Sequence, residues 1–275
     1  MIPLPADTPY AEVIGDPISH SKSPAIHSFW LSALGLEAHY RAVHVTPDAL
    51  MAYLDRRRDD PNWRGCNLTL PHKEAVIELV PDPGNIRASI GAMNTVFRDA
   101  AGALIGTNTD AAGFYAPISA MDLQDAHAVV IGSGGATHGI LFALARADIG
   151  SVTLMARNAL KGAALLARFG LKGEVKPLTA PLPPAALLVN TSPLGMIGHP
   201  PLDLDLAPLP DDAVVYDIVY APLVTKLLSA AQARDLATVD GLEMLIGQAA
   251  IGFELFFGAA PPRDQDDVLR ARLTA

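Results

Sequence analysis

The stretch VVIGSGGATHG, residues 129–139, decides the fold. The apolar run HAVVIG reads as a strand that ends in Gly132-Ser133-Gly134-Gly135, and a helix follows from about Ala136 to Ala147. Glycines at a strand-to-helix turn let the backbone approach a pyrophosphate, and the helix N-terminus offers free N–H groups and a favourable dipole. Thr137 stands where the dinucleotide fingerprint usually has its third glycine. Alone, the motif reads equally well as a tight turn. The next strand, SVTLMA, adds a second observation. It ends at Arg157, roughly 20 residues after the glycines, with Lys161 one helical turn on. An acidic residue there would hold the ribose 2′-hydroxyl of NAD, whereas a basic one suits the 2′-phosphate of NADP. A guanidinium grips phosphate with two parallel hydrogen bonds. Taken singly, Arg157 also reads as a solvated surface residue.

Outward from this turn, strands and helices alternate. Upstream, YAEVIG is a strand, followed by a helix over Pro24 to Leu34 with Ser23 as N-cap and Pro24 at its first position. HYRAVHV is a strand, Pro47 to Arg57 a helix capped by Thr46, and GCNLTL a short strand ending at Pro71. Another helix follows. AMNTVFRD and ALIGTNT then form a strand pair turning at Asp99 to Gly102, and Asp110 opens a helix. Downstream come a helix over Ala159 to Arg168 and the apolar runs ALLVNTS and AVVYDIV, which suit strands buried on both faces of a parallel sheet. Proline-rich loops cover 177–184 and 200–210, and Leu242 to Phe257 is a long apolar helix. The pattern predicts an α/β architecture.

Bulk properties narrow the function. The 275 residues suit one large or about two smaller domains, and half of them are hydrophobic. With 20 basic against 29 acidic residues and a net charge of -9, the chain lacks the basic face of a nucleic-acid binder. An anionic small substrate stays open, because a site can be locally positive on an acidic protein. The single cysteine, Cys66, excludes an internal disulfide and any multi-cysteine metal site, and points to a reduced cytosol. The sequence holds no apolar run of membrane-spanning length. The opening MIPLPADTPY lacks the charged-then-apolar pattern of a secretory signal. A cytoplasmic protein with no membrane partner is expected.

Two groups of residues could carry chemistry. Lys73 follows a proline-ended strand and Asp110 starts a helix. Oxidation of a hydroxyl to a ketone needs a group to take the proton as hydride leaves, and a lysine beside a carboxylate can do so. Each alone also reads as a surface charge or helix cap. Asn67, Thr69, Asn94, Thr95, Asn108 and Thr109 are small hydrogen-bonding residues at strand ends, read either as turn chemistry or as the grip on a polyhydroxylated substrate. Upstream, ISHSKSP (18–24) packs three serines, a histidine and a lysine into one turn. Cys66 reads as a small buried apolar residue, and His20, His27 and His72 fit no standard metal spacing.

The markers GDPISHSKSPAIH (15–27), GCNLTLPHK (65–73), GAMNT (91–95), GTNTDAAG (106–113), GSGGATHG (132–139), NTSPLGM (190–196), DIVYAPLVT (217–225) and GLEMLIGQA (241–249) occur in the order of one family. Over nearly its whole length the chain resembles the shikimate dehydrogenases. The resemblance implies a substrate-binding domain over 1–110, completed by C-terminal helices at 246–275. It implies a Rossmann-type NADP-binding domain over 111–245, with a cleft between the two. It also implies reversible reduction of 3-dehydroshikimate to shikimate with NADPH, in aromatic amino-acid biosynthesis, with no metal. Ser19 and Ser21 match the pair that binds the substrate carboxylate. Neutral donors can hold an anion without a counter-charge that would be costly to leave unpaired in the empty site. Thr69, Asn94, Asp110 and Gln248 match residues on the ring hydroxyls, and Tyr220 a tyrosine near the substrate. Lys73 and Asp110 match the catalytic pair. Gly132, Ser133, Gly134, Gly135 and Ala136 match the pyrophosphate turn, Arg157 the NADP-phosphate arginine and Lys161 a second basic residue. Thr191, Ser192, Gly195, Met196 and Val219 match the surroundings of the ribose and nicotinamide. Gly241, Met244 and Leu245 match a segment returning to the site.

There are departures from the family pattern. Ser28 replaces a frequent Asn. Ala156 and Asn158 flank Arg157 where Asn and Thr are frequent, which keeps dual cofactor use open. His138 stands at a variable polar position. The two serines favour shikimate over quinate. The rival readings are a quinate/shikimate paralogue using NAD or both cofactors, a relative acting on an amino analogue, and an inactive NADP-binding sensor. The oligomeric state is not readable, with a homodimer as one option.

Overall fold

The computed structural model describes residues 8–274. Residues 1–7, read above for a signal pattern, lie outside them. The chain forms two compact units. One holds the residues up to Thr109 and those from Gln248 onward, the other Asp110–Gly247. Among the described residues no helix is long and apolar enough to cross a membrane.

The first unit is built on β1 (Tyr10–Gly15), β2 (His39–His44), β3 (Trp63–Leu68), β4 (Thr95–Arg98) and β5 (Leu104–Thr107), in the order β2-β1-β3-β4-β5. The first three strands run parallel, and β4 and β5 add an antiparallel hairpin that sets Asn67 opposite Thr95. Helices α1 (Ser23–Ala33), α2 (Leu50–Arg58), α3 (His72–Ala75), α4 (Ile86–Ser89) and α10 (Asp266–Thr274) belong to this unit. Ile14, Leu54, Trp63 and Met93 are fully buried in its core. So is one carboxylate. Glu12 accepts bonds from Arg41 (2.9 Å), from Arg57 through two nitrogens (2.7 and 2.9 Å) and from the Tyr53 hydroxyl (2.5 Å). A buried charge persists only when paired and hydrogen-bonded in this way.

The second unit is a six-stranded parallel sheet of β6 (His127–Ile131), β7 (Ser151–Met155), β8 (Gly173–Lys176), β9 (Leu187–Asn190), β10 (Val214–Asp217) and β11 (Ala237–Val239). Its order, β8-β7-β6-β9-β10-β11, is the doubly wound order, with the switch point between β6 and β9. Helices α5 (Asp110–Tyr115), α6 (Gly135–Arg146), α7 (Ala159–Arg168) and α8 (Lys226–Gln232) accompany it. Val129, Val130, Leu187, Leu188 and Val189 are fully buried, as expected for strands covered on both faces. Helix α9 (Gly241–Phe257) begins among the residues of the second unit and ends among those of the first.

Several local expectations need correction. The N-cap of α1 is Lys22, not Ser23, and Ser23 is its first residue. The Ser21 hydroxyl, two residues earlier, accepts the Ser23 N–H (3.3 Å). The helix expected over 47–57 starts as a 3-10 turn at Pro47–Ala49, and Thr46 makes no side-chain cap bond there. The helix expected after Pro71 is broken into α3, a 3-10 turn and α4, because Pro81, Pro83 and Gly84 interrupt it. Asp110 is the first residue of α5 and is buried, not a surface charge. The sequence reading left out β8, α8 and β11. The two strands are short, carry charges or sit at sheet edges, and so lack an apolar run.

Candidate active site

The first unit gathers its polar residues at the carboxyl ends of its parallel strands, where ligands bind in such sheets. After β1 the chain enters the serine turn. Ser19 is exposed and Ser21 half-buried. Since Ser21 Oγ accepts the Ser23 N–H, its own proton is directed elsewhere, which suits a donor to a carboxylate. After β3 the chain turns through Thr69 to Lys73. The Thr69 N–H bonds Ile14 O (3.0 Å), and Thr69 O takes the His72 N–H (2.9 Å). His72 is buried, and its Nε2 donates to Val45 O (2.8 Å), which locks the turn from below. Lys73 O accepts the Met93 N–H (2.8 Å) and so ties the lysine's turn to the segment carrying Asn94.

Asn94, Thr109 and Gln248 are buried and mutually bonded. The Thr109 N–H donates to Asn94 Oδ1 (2.7 Å), and Asn94 Nδ2 donates to Thr109 Oγ1 (2.9 Å) and Gln248 Oε1 (3.3 Å). Thr109 Oγ1 also reaches Gln248 Oε1 (3.3 Å). Of the six small polar residues at strand ends, Asn67, Asn94, Thr95 and Thr109 join one network. Asn108 instead donates to Ala92 O (2.8 Å) and holds its loop. Sequence reading passed over Tyr40, whose hydroxyl donates to Asn67 Oδ1 (2.6 Å). Nothing in the HYRAVHV pattern separates it from an ordinary strand aromatic.

The buried histidine and cysteine take structural places. His27 is fully buried and stacked on the Tyr40 ring (centroids 3.8 Å apart, rings parallel), and burial pushes its pKa down to about 3. Cys66 is fully buried, and its thiol is pushed far up by the same cause. Among the described residues no group of three or more His, Cys, Asp or Glu side chains is placed to hold a metal.

In the second unit, Gly132 closes β6 with φ +113°, and a Cβ there would meet Thr191 Oγ1 at 2.6 Å. Only glycine fits this turn. Thr191 donates to Ile131 O (2.7 Å) and shares a hydrogen bond with Thr137 Oγ1 (2.8 Å). Thr137, in place of the third glycine, thus fastens α6 to the end of β9. Gly134 is the N-cap of α6, makes no side-chain cap bond, and has open space where a Cβ would stand. The first N–H groups of α6 therefore face a bare, accessible turn, which is the cradle a pyrophosphate needs. Past β7, Ala156 is buried and Arg157 exposed. Asn158 Oδ1 accepts the Lys161 N–H (3.0 Å) and caps α7. The residues present fit a dinucleotide with a 2′-phosphate, since no carboxylate follows β7 in the run Ala156-Arg157-Asn158.

Beyond β9, Ser192 Oγ donates to Asn190 Oδ1 (2.7 Å), and Asn190 Nδ2 donates to Asp217 Oδ1 (2.9 Å). Asp217 also accepts from the Val219 N–H (3.0 Å) and the Thr225 hydroxyl (2.7 Å), and its burial raises its carboxyl above the usual range. This knot, unread in the sequence, sets the loops that carry Ser192, Gly195 and Met196 and those that carry Val219 and Tyr220. Gly241 has a packing reason of its own, because a Cβ would collide with Ile218 O. Met244 is buried in the second unit's apolar core, whereas Leu245 is half-buried.

A doubly wound sheet, a bare glycine turn at its switch point and an arginine after the second strand define an α/β oxidoreductase of the nicotinamide-dinucleotide class. Residues 13–96 match the shikimate dehydrogenase substrate binding domain, and residues 241–266 match the shikimate 5'-dehydrogenase C-terminal domain. A relative in Sphingopyxis alaskensis named shikimate dehydrogenase (NADP(+)) is 64% identical over 271 residues, covering 98% of this chain and 99% of that one. The chain belongs to the shikimate dehydrogenase family. The solved shikimate 5-dehydrogenase of Thermus thermophilus, in complex with NADP(H) and shikimate, matches with a TM-score of 0.82 at 36% identity over 97% of this chain and 100% of that one. A quinate dehydrogenase from Corynebacterium glutamicum, in complex with NAD, matches with a TM-score of 0.83 at 28% identity over 96% of this chain and 99% of that one.

Proposed function

We propose that this protein is an NADP-dependent shikimate dehydrogenase that reversibly reduces 3-dehydroshikimate to shikimate, in the route to the aromatic amino acids. The observation that carries the reading is the 64% identity, over 98% of the chain, to a relative of that name. When bound, NADPH supplies the hydride to the carbonyl carbon. Lys73 gives a proton to the carbonyl oxygen as the electron pair moves onto it, and takes that proton back in the oxidation direction. Asp110 orients this exchange. Ser19 and Ser21 hold the carboxylate, and Thr69, Asn94, Gln248 and Tyr220 hold the ring. The α6 N-terminus with Gly132, Ser133, Gly134, Gly135 and Ala136 holds the pyrophosphate. Arg157 and Lys161, flanked by Ala156 and Asn158, hold the 2′-phosphate. Thr191, Ser192, Gly195, Met196, Val219, Gly241, Met244 and Leu245 shape the nicotinamide end.

A charge of -9 and a small anionic substrate suit an enzyme working in the cytoplasm without nucleic-acid or membrane partners. Light scattering decides between a monomer and a homodimer. The assay is reduced-nicotinamide absorbance with shikimate or quinate crossed with NADP or NAD. The expected result is fast turnover with shikimate and NADP alone. Comparable rates with quinate or NAD would replace this reading by the broader quinate/shikimate group.

A further inference from the structure

Two of the groups proposed to hold the substrate ring, Asn94 and Gln248, are side-chain amides. An amide offers a donor at one end and an acceptor at the other, and its use to a ligand depends on which end faces it. In this protein that choice is imposed from below. A backbone N–H can only donate, and that of Thr109 points at Asn94 at 2.7 Å. The atom it meets must therefore be Oδ1. Asn94 Nδ2 then has to donate, and Gln248 has to receive it through Oε1. The amide nitrogen becomes Gln248's donor end.

The other side of Asn94 is held by three residues that lie one behind the other in the core. Thr95 Oγ1 donates to Asn94 Oδ1 (3.1 Å) and accepts from Asn67 Nδ2 (2.9 Å). Asn67 Oδ1 accepts from the Tyr40 hydroxyl (2.6 Å). Asn67 and Thr95 meet because they are cross-strand partners in β3 and β4. Every proton in this line points the same way, from Tyr40 through Asn67, Thr95 and Asn94 to Gln248. Tyr40 supports that direction, since burial keeps its phenol protonated far above the ordinary range. All five side chains are buried, Thr95 completely and Gln248 least, at 7%. The longest member of the line is the 3.3 Å contact from Asn94 to Gln248 Oε1, so its soft end is the one proposed to meet a ligand.

We propose that Thr95, Asn67 and Tyr40 are positioning residues, a one-way hydrogen-bond line that fixes the Asn94 and Gln248 amides so that Gln248 meets a ring oxygen of the substrate as a donor. The proposal rests on the reading of Asn94 and Gln248 as ring-binding residues. Thr95 is the place to cut the line. Valine has its shape without the hydroxyl, and serine keeps the hydroxyl without the methyl.

The experiment measures kcat and KM for 3-dehydroshikimate and for NADPH in the full-length wild type and in Thr95→Val, Thr95→Ser, Gln248→Ala and the Thr95→Val/Gln248→Ala double variant. Thermal unfolding of each variant checks the fold. Thr95→Val is expected to lower kcat/KM for 3-dehydroshikimate ~10-fold, about the factor one buried hydrogen bond supplies, with the KM for NADPH unchanged. Thr95→Ser should recover most of the loss. In the double variant the Thr95 effect should shrink, because the part of it that acts through Gln248 is gone and only the part through Asn94 remains. Tyr40→Phe should repeat the Thr95→Val pattern more weakly. Equal losses in the valine and serine variants, additive losses in the double variant, or matching rises in both KM values would overturn the line and leave the enzyme assignment standing. A wild type with no turnover of 3-dehydroshikimate would refute the assignment and the line with it.

Discussion

β1 and β3 of the first unit carry Glu12 and Asn67 into the core, whereas β6 and β9 of the second fill theirs with Val, Ile and Leu, with Asn190 only at the last residue of β9. Both sheets present their working ends at the carboxyl termini of parallel strands, yet they do so with different materials. The pyrophosphate cradle proposed for the second unit is made of backbone N–H groups, so its strands need only pack. The ring site proposed for the first unit uses side-chain hydroxyls and amides, and those have to be oriented. Orientation comes from more polar side chains behind them, and each buried polar group calls for its own partner. A sheet that binds through side chains therefore becomes polar in depth.

The largest effect expected from this contrast is catalytic. Lys73→Ala should lower turnover by ~10²–10⁴-fold, the usual range for a lost proton-transfer group, with the unfolding temperature unchanged. A near-normal rate would remove Lys73 from the chemistry. Next comes stability. Glu12→Ala leaves two arginines facing a void and should cost about 3–5 kcal/mol, measured by urea unfolding. Leu187→Ala, at an equally buried site in the apolar sheet, should cost about 2–5 kcal/mol through the cavity it opens. The sharper comparison lies in salt, which should alter the Glu12 variant's loss and leave the Leu187 variant's loss alone. Arg157→Ala should raise the KM for NADP roughly 10-fold while moving that for NAD little, as loss of a bidentate phosphate contact predicts. Equal shifts would break the case for a 2′-phosphate site.

The most gradual effect is a pH slope. His27 is held at about 3 when folded, against an ordinary 6.5, so below pH 6.5 the unfolded chain binds a proton that the folded one refuses. Stability therefore falls as pH drops from 6.5 toward 3, by at most ~1.4 kcal/mol per pH unit from this group. His27→Phe should flatten that part of the curve. An unchanged slope would place the sensitivity elsewhere, His127 of the second unit being the first candidate, since burial lowers it too.

The same contrast explains what could be read from the sequence. In the apolar sheet, β6, β7, α6 and α7 fall within a residue or so of their expected places, because a two-face-buried strand and an amphipathic helix each leave a periodic mark, whereas the short edge strands β8 and β11 leave none. In the polar sheet all five strands were legible, but the work of their polar residues was not. Asn67 and Thr95 were visible as unusual residues, but their role depends on β3 and β4 pairing in a register that no local pattern encodes. Tyr40 and the Asn190-Asp217-Thr225 knot were hidden for the same reason, since each partner lies many residues away. The glycine turn and Arg157 were legible because their meaning is carried by order along the chain. The serine turn and Gln248 took on meaning only through resemblance to a family.

Gln248 stands 154 residues beyond Asn94 in the chain. A ribosome adding about 5–20 residues per second reaches it roughly eight to thirty seconds after Asn94. During that interval the whole stretch Asp110–Gly247 is made, a continuous segment with its own sheet and core. The first unit meanwhile waits for the latter part of α9, which brings Phe253 and Phe256 to its aromatic cluster around Tyr40 and His27. The first unit is thus divided in the chain by the whole of the second, and its buried polar line can close only after the second unit's residues have been made.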